Sequence, residues 1–364
     1  MKKFILIILL VLAGKTLLAE IFWDGRFYQQ SLLLFKQDTK YIGLTVLDLK
    51  LDTRPTDILR IRSEMEYALL NQSSSFFIDY SSDGVTVNSL NAIIMPGNFK
   101  FAIGRFLPNW GKGKIFRPLD IFRPQTYFLN MLCFQGVDGF SVKYYLSNLS
   151  SVQFIAIPSF DVRNLMPHIN HSFTNTINHT LAGLNLEIHI ATVDNNIIFV
   201  KDTSAGNNIA GLAFKGDAII GIWGEFFYSF DNKIKSDNFR GTFGADYSFA
   251  KYFFMSLEYF YDESGMKDYN DYIDLMRIPR MTFGKEYIMF DFNVLTYEEL
   301  NYGITYLGNL IDKSFILFPY FRYEIIENGI LGISLYHFNG KSNREFAPDK
   351  YGNYIFNTYL NIRF

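Results

Sequence analysis

Asp57–Leu70 reads DILRIRSEMEYALL, and it alternates with a period of two. Leu59, Ile61, Ser63, Met65, Tyr67 and Leu69 share one side, while Arg60, Arg62, Glu64 and Glu66 share the other. Successive side chains of a strand point to opposite faces of its sheet. The pattern therefore sets a row of charges against an apolar face. Against lipid, an Arg or Lys at mid-bilayer costs about 2–4 kcal/mol. Facing a water-filled lumen, the same charges stay hydrated and pair with their neighbours. The stretch predicts one strand of a membrane barrel, with Arg60, Arg62, Glu64 and Glu66 lining the lumen.

Downstream segments repeat the split. Leu184, Leu186, Ile188 and Ile190 oppose Asn185, Glu187 and His189. Phe253, Met255, Leu257, Tyr259 and Tyr261 oppose Ser256, Glu258 and Asp262. Phe321, Tyr323 and Ile325 oppose Arg322 and Glu324. Glu187, Glu258, Arg322 and Glu324 are thus further lumen-lining candidates. Two segments depart from the rule. Residues 218–230 are apolar on both faces and 281–296 change phase midway, which predicts bulges or a plugged lumen there.

Composition agrees with a barrel. Phe (38) and Tyr (24) are abundant, although hydrophobic residues total only 49%. Aromatic residues at a period of two suit lipid-facing strands with ring girdles at both interfaces. The alternative, a soluble β-sandwich or β-helix, leaves the aromatic excess unexplained. Residues 1–19 read as a secretory signal: Lys2 and Lys3, an apolar core over 4–13, and Leu17-Leu18-Ala19 before Glu20. Beyond them no apolar run reaches the roughly 18 residues of a membrane helix. A membrane protein without such helices must be a closed barrel, because lipid offers backbone groups no partners. Residues 20–364 are expected to form one such domain. Without Lys2, Lys3 and Lys15, Lys+Arg falls from 34 to 31 against 36 acids, a net of −5. That balance argues against a nucleic-acid partner. The single Cys133 excludes an internal disulfide and any multi-cysteine metal site.

Turn signals provide a count. Counting back from a C-terminus on the periplasmic side, short turns fall at 327–329, 297–299, 250–251, 216–217, 194–196, 147–151 and 95–97. Longer connections fall at 339–351, 308–314, 262–280, 231–238, 202–207, 159–180 and 107–135, and 71–84 is treated as another. The expectation is an all-β, transmembrane antiparallel barrel of about 18 strands, with 16 as the alternative count and the first strand near 27–35. On this count 107–135 is the third long loop.

That loop follows an alternating strand, Phe99, Phe101 and Ile103 opposing Lys100, Ala102 and Gly104. Its sequence is the most unusual in the chain. Trp110, Lys112, Lys114, Arg117, Asp120 and Arg123 lie among glycines and prolines and give a net +3. Fixed cations at a narrow point favour anions, since low-dielectric walls focus the field. The pore-constriction candidates are these six residues together with Arg105. By parity Arg105 shares a face with Phe101 and Ile103, so it needs a rim position or a bulge to turn inward. A shape-setting role is the competing account: Trp110 wedged against the inner wall, Asp120 accepting hydrogen bonds to lock the turn.

Three resemblances add to this. The closing strand, with Tyr354, Phe356, Thr358, Leu360, Ile362 and terminal Phe364 on one face, resembles the assembly signal of bacterial outer-membrane barrels. It implies a Gram-negative-type outer membrane, its lipid, and the barrel-assembly machinery as partners. The segment GR-x2-P-x-WGKG-x2-FRPLDIFRP, residues 104–124, resembles WG-x-G and PLD elements of alginate-export-like and other porin-like barrels. That likeness implies solute contact by Arg105, Lys112, Lys114, Arg117 and Arg123. A third long loop resembles that of trimeric general porins, which folds inward and narrows the pore. A homotrimer stays open, because a subunit interface and a lipid face look alike in sequence.

The expected function is a channel passing small polar, chiefly anionic solutes. A substrate-specific exporter or surface-binding barrel is the alternative. An enzyme is not expected, since His337 lies in no catalytic motif. His168, His171 and His179, and Asp268, Asp271 and Asp274, lack the preorganisation or glycine turn of a metal loop. No metal or cofactor is expected.

Overall fold

The computed structural model describes residues 20–364 apart from 36–39, 73–83, 123–135, 159–179, 204–205, 232–235, 251, 267–281, 298 and 343. The signal at 1–19, Arg123, Cys133 and the two candidate metal clusters lie outside the described residues.

The first six strands are β1 (Glu20–Phe35), β2 (Lys40–Thr56), β3 (Leu59–Gln72), β4 (Gly84–Ile94), β5 (Phe99–Phe106) and β6 (Val137–Tyr145). Next come β7 (Ser151–Ile157), β8 (Leu181–Ile190), β9 (Val193–Asp202), β10 (Asn207–Asp217), β11 (Gly221–Asp231) and β12 (Ser236–Phe249). The ring is completed by β13 (Phe253–Asp262), β14 (Glu286–Tyr297), β15 (Leu300–Asn309), β16 (Ser314–Ile326), β17 (Gly329–Asn339) and β18 (Tyr354–Arg363). One helical turn, α1 (Pro348–Tyr351), precedes β18.

Each strand pairs antiparallel with its sequence neighbours, and β1 also pairs with β18, from Arg26↔Arg363 to Phe35↔Tyr354. Gly25 and Phe364 then exchange backbone hydrogen bonds of 2.8 and 2.9 Å. Closure leaves no edge of unpaired N–H and C=O groups, which is what lipid requires. The count is 18, and the 16-strand alternative falls away.

Both ends of the ring lie with the short connections, which include 57–58, 95–98, 146–150, 218–220 and 327–328. Two turns differ from expectation: Gly216 and Asp217 lie within β10, whose connection to β11 is 218–220. The β8–β9 connection is Ala191-Thr192, and Asp194–Asn196 belongs to β9. No Gly or Pro marks Ala191, whose φ of 55° is imposed by the hairpin rather than announced by residue type.

The two faces separate as alternation demands. Met65, Tyr67, Leu257, Tyr259, Phe321 and Tyr323 are exposed on the outer wall. Asp48, Glu66, Asn91, Asn185, Asn196 and Ser256 are buried on the inner one. β11 pairs without a register shift on either side. Its inward Trp223 and Phe227 are nevertheless buried, so something covers them from inside. The phase change predicted over 281–296 shows as a register shift between Leu295 and Tyr297.

Candidate functional site

The cover is the segment after β5. Phe116 is fully buried in a cluster with Phe260, Tyr287, Leu307, Ile316 and Phe338, all on inward positions of β13–β17. Its ring stacks on Phe260 at 4.6 Å between centroids. Trp110, Leu119 and Phe122 occupy a second cluster with Ile155, Ile198, Val200 and Phe227 on the inner faces of β7, β9 and β11. Trp110 and Phe122 meet edge to face at 4.7 Å. Residues 110–122 thus lie within the barrel, across one side of the lumen.

Apolar burial alone would leave the backbone of this irregular segment unpaired, at about 1–3 kcal/mol per buried group. Two wall carboxylates supply the partners. Glu225 on β11 accepts from the backbone N–H of Lys112, of Gly113 (2.5 Å) and of Leu119 (3.0 Å). Glu258 on β13 accepts from Lys114 (2.7 Å), Ile115 (3.0 Å) and Phe116 (2.9 Å). It also accepts from Trp223 Nε1 at 2.7 Å. Successive N–H groups converging on one anion form a backbone nest. Glycine is required at 113, where a Cβ would sit 2.0 Å from the Phe116 carbonyl oxygen and 3.3 Å from Glu225 Oε1.

Side chains of the segment complete the lock. Asp120 Oδ1 accepts from Gly111 N (2.9 Å) and Trp110 N (3.2 Å). Trp110 Nε1 donates to Gln153 on β7 at 3.0 Å. Arg117 Nε donates to the Gly113 carbonyl at 2.7 Å, and its guanidinium lies 3.9 Å from Asp120. Lys114 pairs with Asp246 on β12 at 2.8 Å and lies over the Trp223 and Phe254 rings. Lys112 lies within electrostatic reach of Glu187 on β8.

Arg105 is not brought to this site. Its Nε and Nη2 donate to Asp138, its partner on β6, at 2.9 and 2.6 Å, and Nη1 donates to the Val87 carbonyl. Asp138 shares parity with Phe140 and Tyr144, which are exposed on the outer wall. The φ of +117° at Gly104 kinks β5 without turning Arg105 inward. Glu258 does face inward, but it is fully covered by the segment and meets no lumen water.

The wall β2–β6 is different. Arg60 donates to Asp52 from Nε at 2.6 and 2.9 Å, and Arg62 lies 3.6 Å from the same carboxylate. Lys50 pairs with Glu64 at 3.2 Å, and Glu66 accepts from Asn88 at 3.4 Å. Lys143 on β6 pairs with Glu187 at 2.8 Å. Lys100, opposite Lys143 in register, has no ion-pair partner among the described residues. The charges that bear on it are those of Arg62, Lys143 and Arg60. On β16, Arg322 lies over the Tyr320 ring, and Glu324 accepts from Asn328 N at 2.9 Å in the adjoining turn.

A second inward element carries little signal in the sequence. After β17, Glu345, Phe346 and Ala347 are fully buried, with Phe346 in the cluster of Phe116. Glu345 accepts from Tyr287 Oη (2.5 Å) and Asn309 Nδ2 (2.7 Å), while its N–H donates to Asp312. Its only signal was Phe346-Ala347-Pro348, an apolar step inside a polar loop. Glu225 was missed too, although a lone acid in the apolar run GIWGEFFYSF was visible.

The fold and this inward segment define a class: a closed 18-stranded antiparallel barrel narrowed from within. No protein-family model matches the chain, and no curated protein matches it by sequence. Solved structures do. Pseudomonas aeruginosa OccK8 (OprE) is similar with a TM-score of 0.64 at 8% identity, over 95% of this chain and 98% of that one. Acinetobacter baumannii OccAB3 has a TM-score of 0.61 at 11% identity, over 96% and 99%. Salmonella typhi OmpF, solved in complex with daunomycin, has a TM-score of 0.54 at 11% identity, over 94% and 97%. At such identities the likeness is one of fold. It concerns the barrel as a whole and says nothing of the WGKG and PLD elements.

Proposed function

We propose that this chain is an outer-membrane channel for passive diffusion of small polar solutes, with a preference for anions, narrowed by the loop 107–135. The anion preference rests on one observation above the others. Arg60, Arg62, Lys100 and Lys143 gather on one inner wall, and Lys100 has no ion-pair partner among the described residues. Cations fixed on a low-dielectric wall raise the local anion concentration. The inward segment sharpens this contrast. Lys114 is spent on Asp246, and Glu225 and Glu258 are spent on backbone, so the wall beneath the segment carries little free charge. An outer-membrane location is supported by the lipid-facing aromatic wall and by the likeness to barrels such as the outer membrane protein opdK of Pseudomonas aeruginosa. Reversal potentials in a potassium chloride gradient across a planar bilayer test the selectivity. The expected sign is that of chloride preference; a strong potassium preference would sink the anion claim.

A further inference from the structure

Beneath the Phe116 cluster, on the short-turn side, β14–β18 enclose a recess of about 280 Å³. Its lining differs from both walls described above: Asp291, Asn301, Tyr320, Arg322, Asn357 and Tyr359 carry its chemistry. Two inward glycines shape it. A Cβ at Gly332 would fall 2.1 Å from Tyr359 Cζ, and one at Gly303 would fall 2.7 Å from Tyr320 Oη. Each glycine is the cross-strand partner of the tyrosine that covers it. The rings therefore reach sideways along the wall, and each occupies the space a side chain would take. A ring laid along a wall offers a face, not an edge, to the lumen.

Polar groups surround these faces. Asp291 accepts from Thr305 Oγ1 at 2.5 Å and from Asn293 Nδ2 at 3.1 Å, which orients its carboxylate. The Arg322 guanidinium is held 4.8 Å above the Tyr320 centroid. The buried Asn301 Oδ1 has no hydrogen-bond partner among the described residues. Buried acceptors are rarely left unpaired without a reason. One carboxylate and one guanidinium give the recess no formal charge bias.

We propose that this recess is a binding site for a neutral, polyhydroxylated ring, a monosaccharide-sized solute. Its C–H face would lie on the Tyr359 ring, since Arg322 covers that of Tyr320, and its hydroxyls would bridge Asp291, Asn301 and Arg322. The volume falls just under the roughly 300–1,000 Å³ of small-molecule pockets, which suits one sugar ring and not a chain of them. The site is separate from the basic wall β3–β6 and does not depend on anion preference.

Saturation-transfer NMR on the detergent-solubilised full barrel tests this with D-glucose, using triethylene glycol as the size-matched control. Saturable transfer to the glucose C–H protons is expected, with little to the glycol. Tyr359→Ala and Asp291→Asn should each weaken the interaction roughly tenfold, the effect of losing one ring platform or one charge-assisted hydrogen bond. Heat-modifiable gel migration confirms that each variant is folded. If Tyr359→Ala does not fold, Asp291→Asn and Tyr359→Phe carry the comparison, the latter retaining binding. Equal transfer to both probes, or undiminished glucose transfer in folded Asp291→Asn, overturns the proposal. No ion flow is involved, so the result stands apart from the reversal potential.

Discussion

Two walls of one barrel use the same sequence device for opposite ends. On β2–β6 the inward acids pair with inward cations: Asp52 with Arg60, Glu64 with Lys50, and, across to β8, Glu187 with Lys143. On β11 and β13 the inward acids Glu225 and Glu258 pair with no wall cation among the described residues and hold six backbone N–H groups instead. The first arrangement lines a lumen and the second closes part of one. A charge at an inward position therefore does not by itself mean contact with solute. What decides is whether a loop lies over it.

The comparison breaks most visibly at Glu258. Glu258→Ala leaves three backbone N–H groups and the Trp223 indole N–H without a buried acceptor. At about 1–3 kcal/mol for each buried group, even partial rehydration predicts a loss of about 3 kcal/mol or more. Urea unfolding in detergent micelles, followed by heat-modifiable migration, measures it. Single-channel conductance should rise as the segment loosens. Glu258→Gln, still an acceptor, should fall between the variant and wild type.

The opposite wall responds differently. Lys100→Glu combined with Lys143→Glu removes two cations and adds two anions next to Arg60 and Arg62. The barrel should fold, because both positions face the lumen and not lipid. Reversal potentials should move towards potassium, with conductance little changed. An unchanged reversal potential would place the selective step elsewhere.

Arg105 should give the smallest effect. It pairs with Asp138 on outward parity, so Arg105→Ala should cost stability and leave ion preference as it is. The stability loss should be about 1–3 kcal/mol, that of a charge-assisted pair at a partly buried site. A clear shift of reversal potential in this variant would contradict its placement.

Most of the wall was legible because lipid enforces it. Asp57–Leu70 announced its two faces through Arg60, Arg62, Glu64 and Glu66, since a membrane tolerates no phase error there. Turns such as Asn328-Gly329 and Pro96-Gly97 were legible for a related reason, since each such step is a local backbone requirement. The β8–β9 turn was misplaced because Ala191 and Thr192 carry no such signature. The interior was less legible, since loop packing is long-range. Glu225 lies 112 residues from Gly113, and Glu258 lies 142 from Phe116. No local pattern ties them. The apolar doubling of β11 was the one trace, an inward face that needed a cover.

The central claim is that residues 110–122 lie in the conducting path. Lys114→Cys in a Cys133→Ser background tests it most directly, because Lys114 is partly exposed to the lumen at 33%. A bulky methanethiosulfonate reagent added during single-channel recording should reduce the current in discrete steps. Full modification by mass with no change in current would contradict the account.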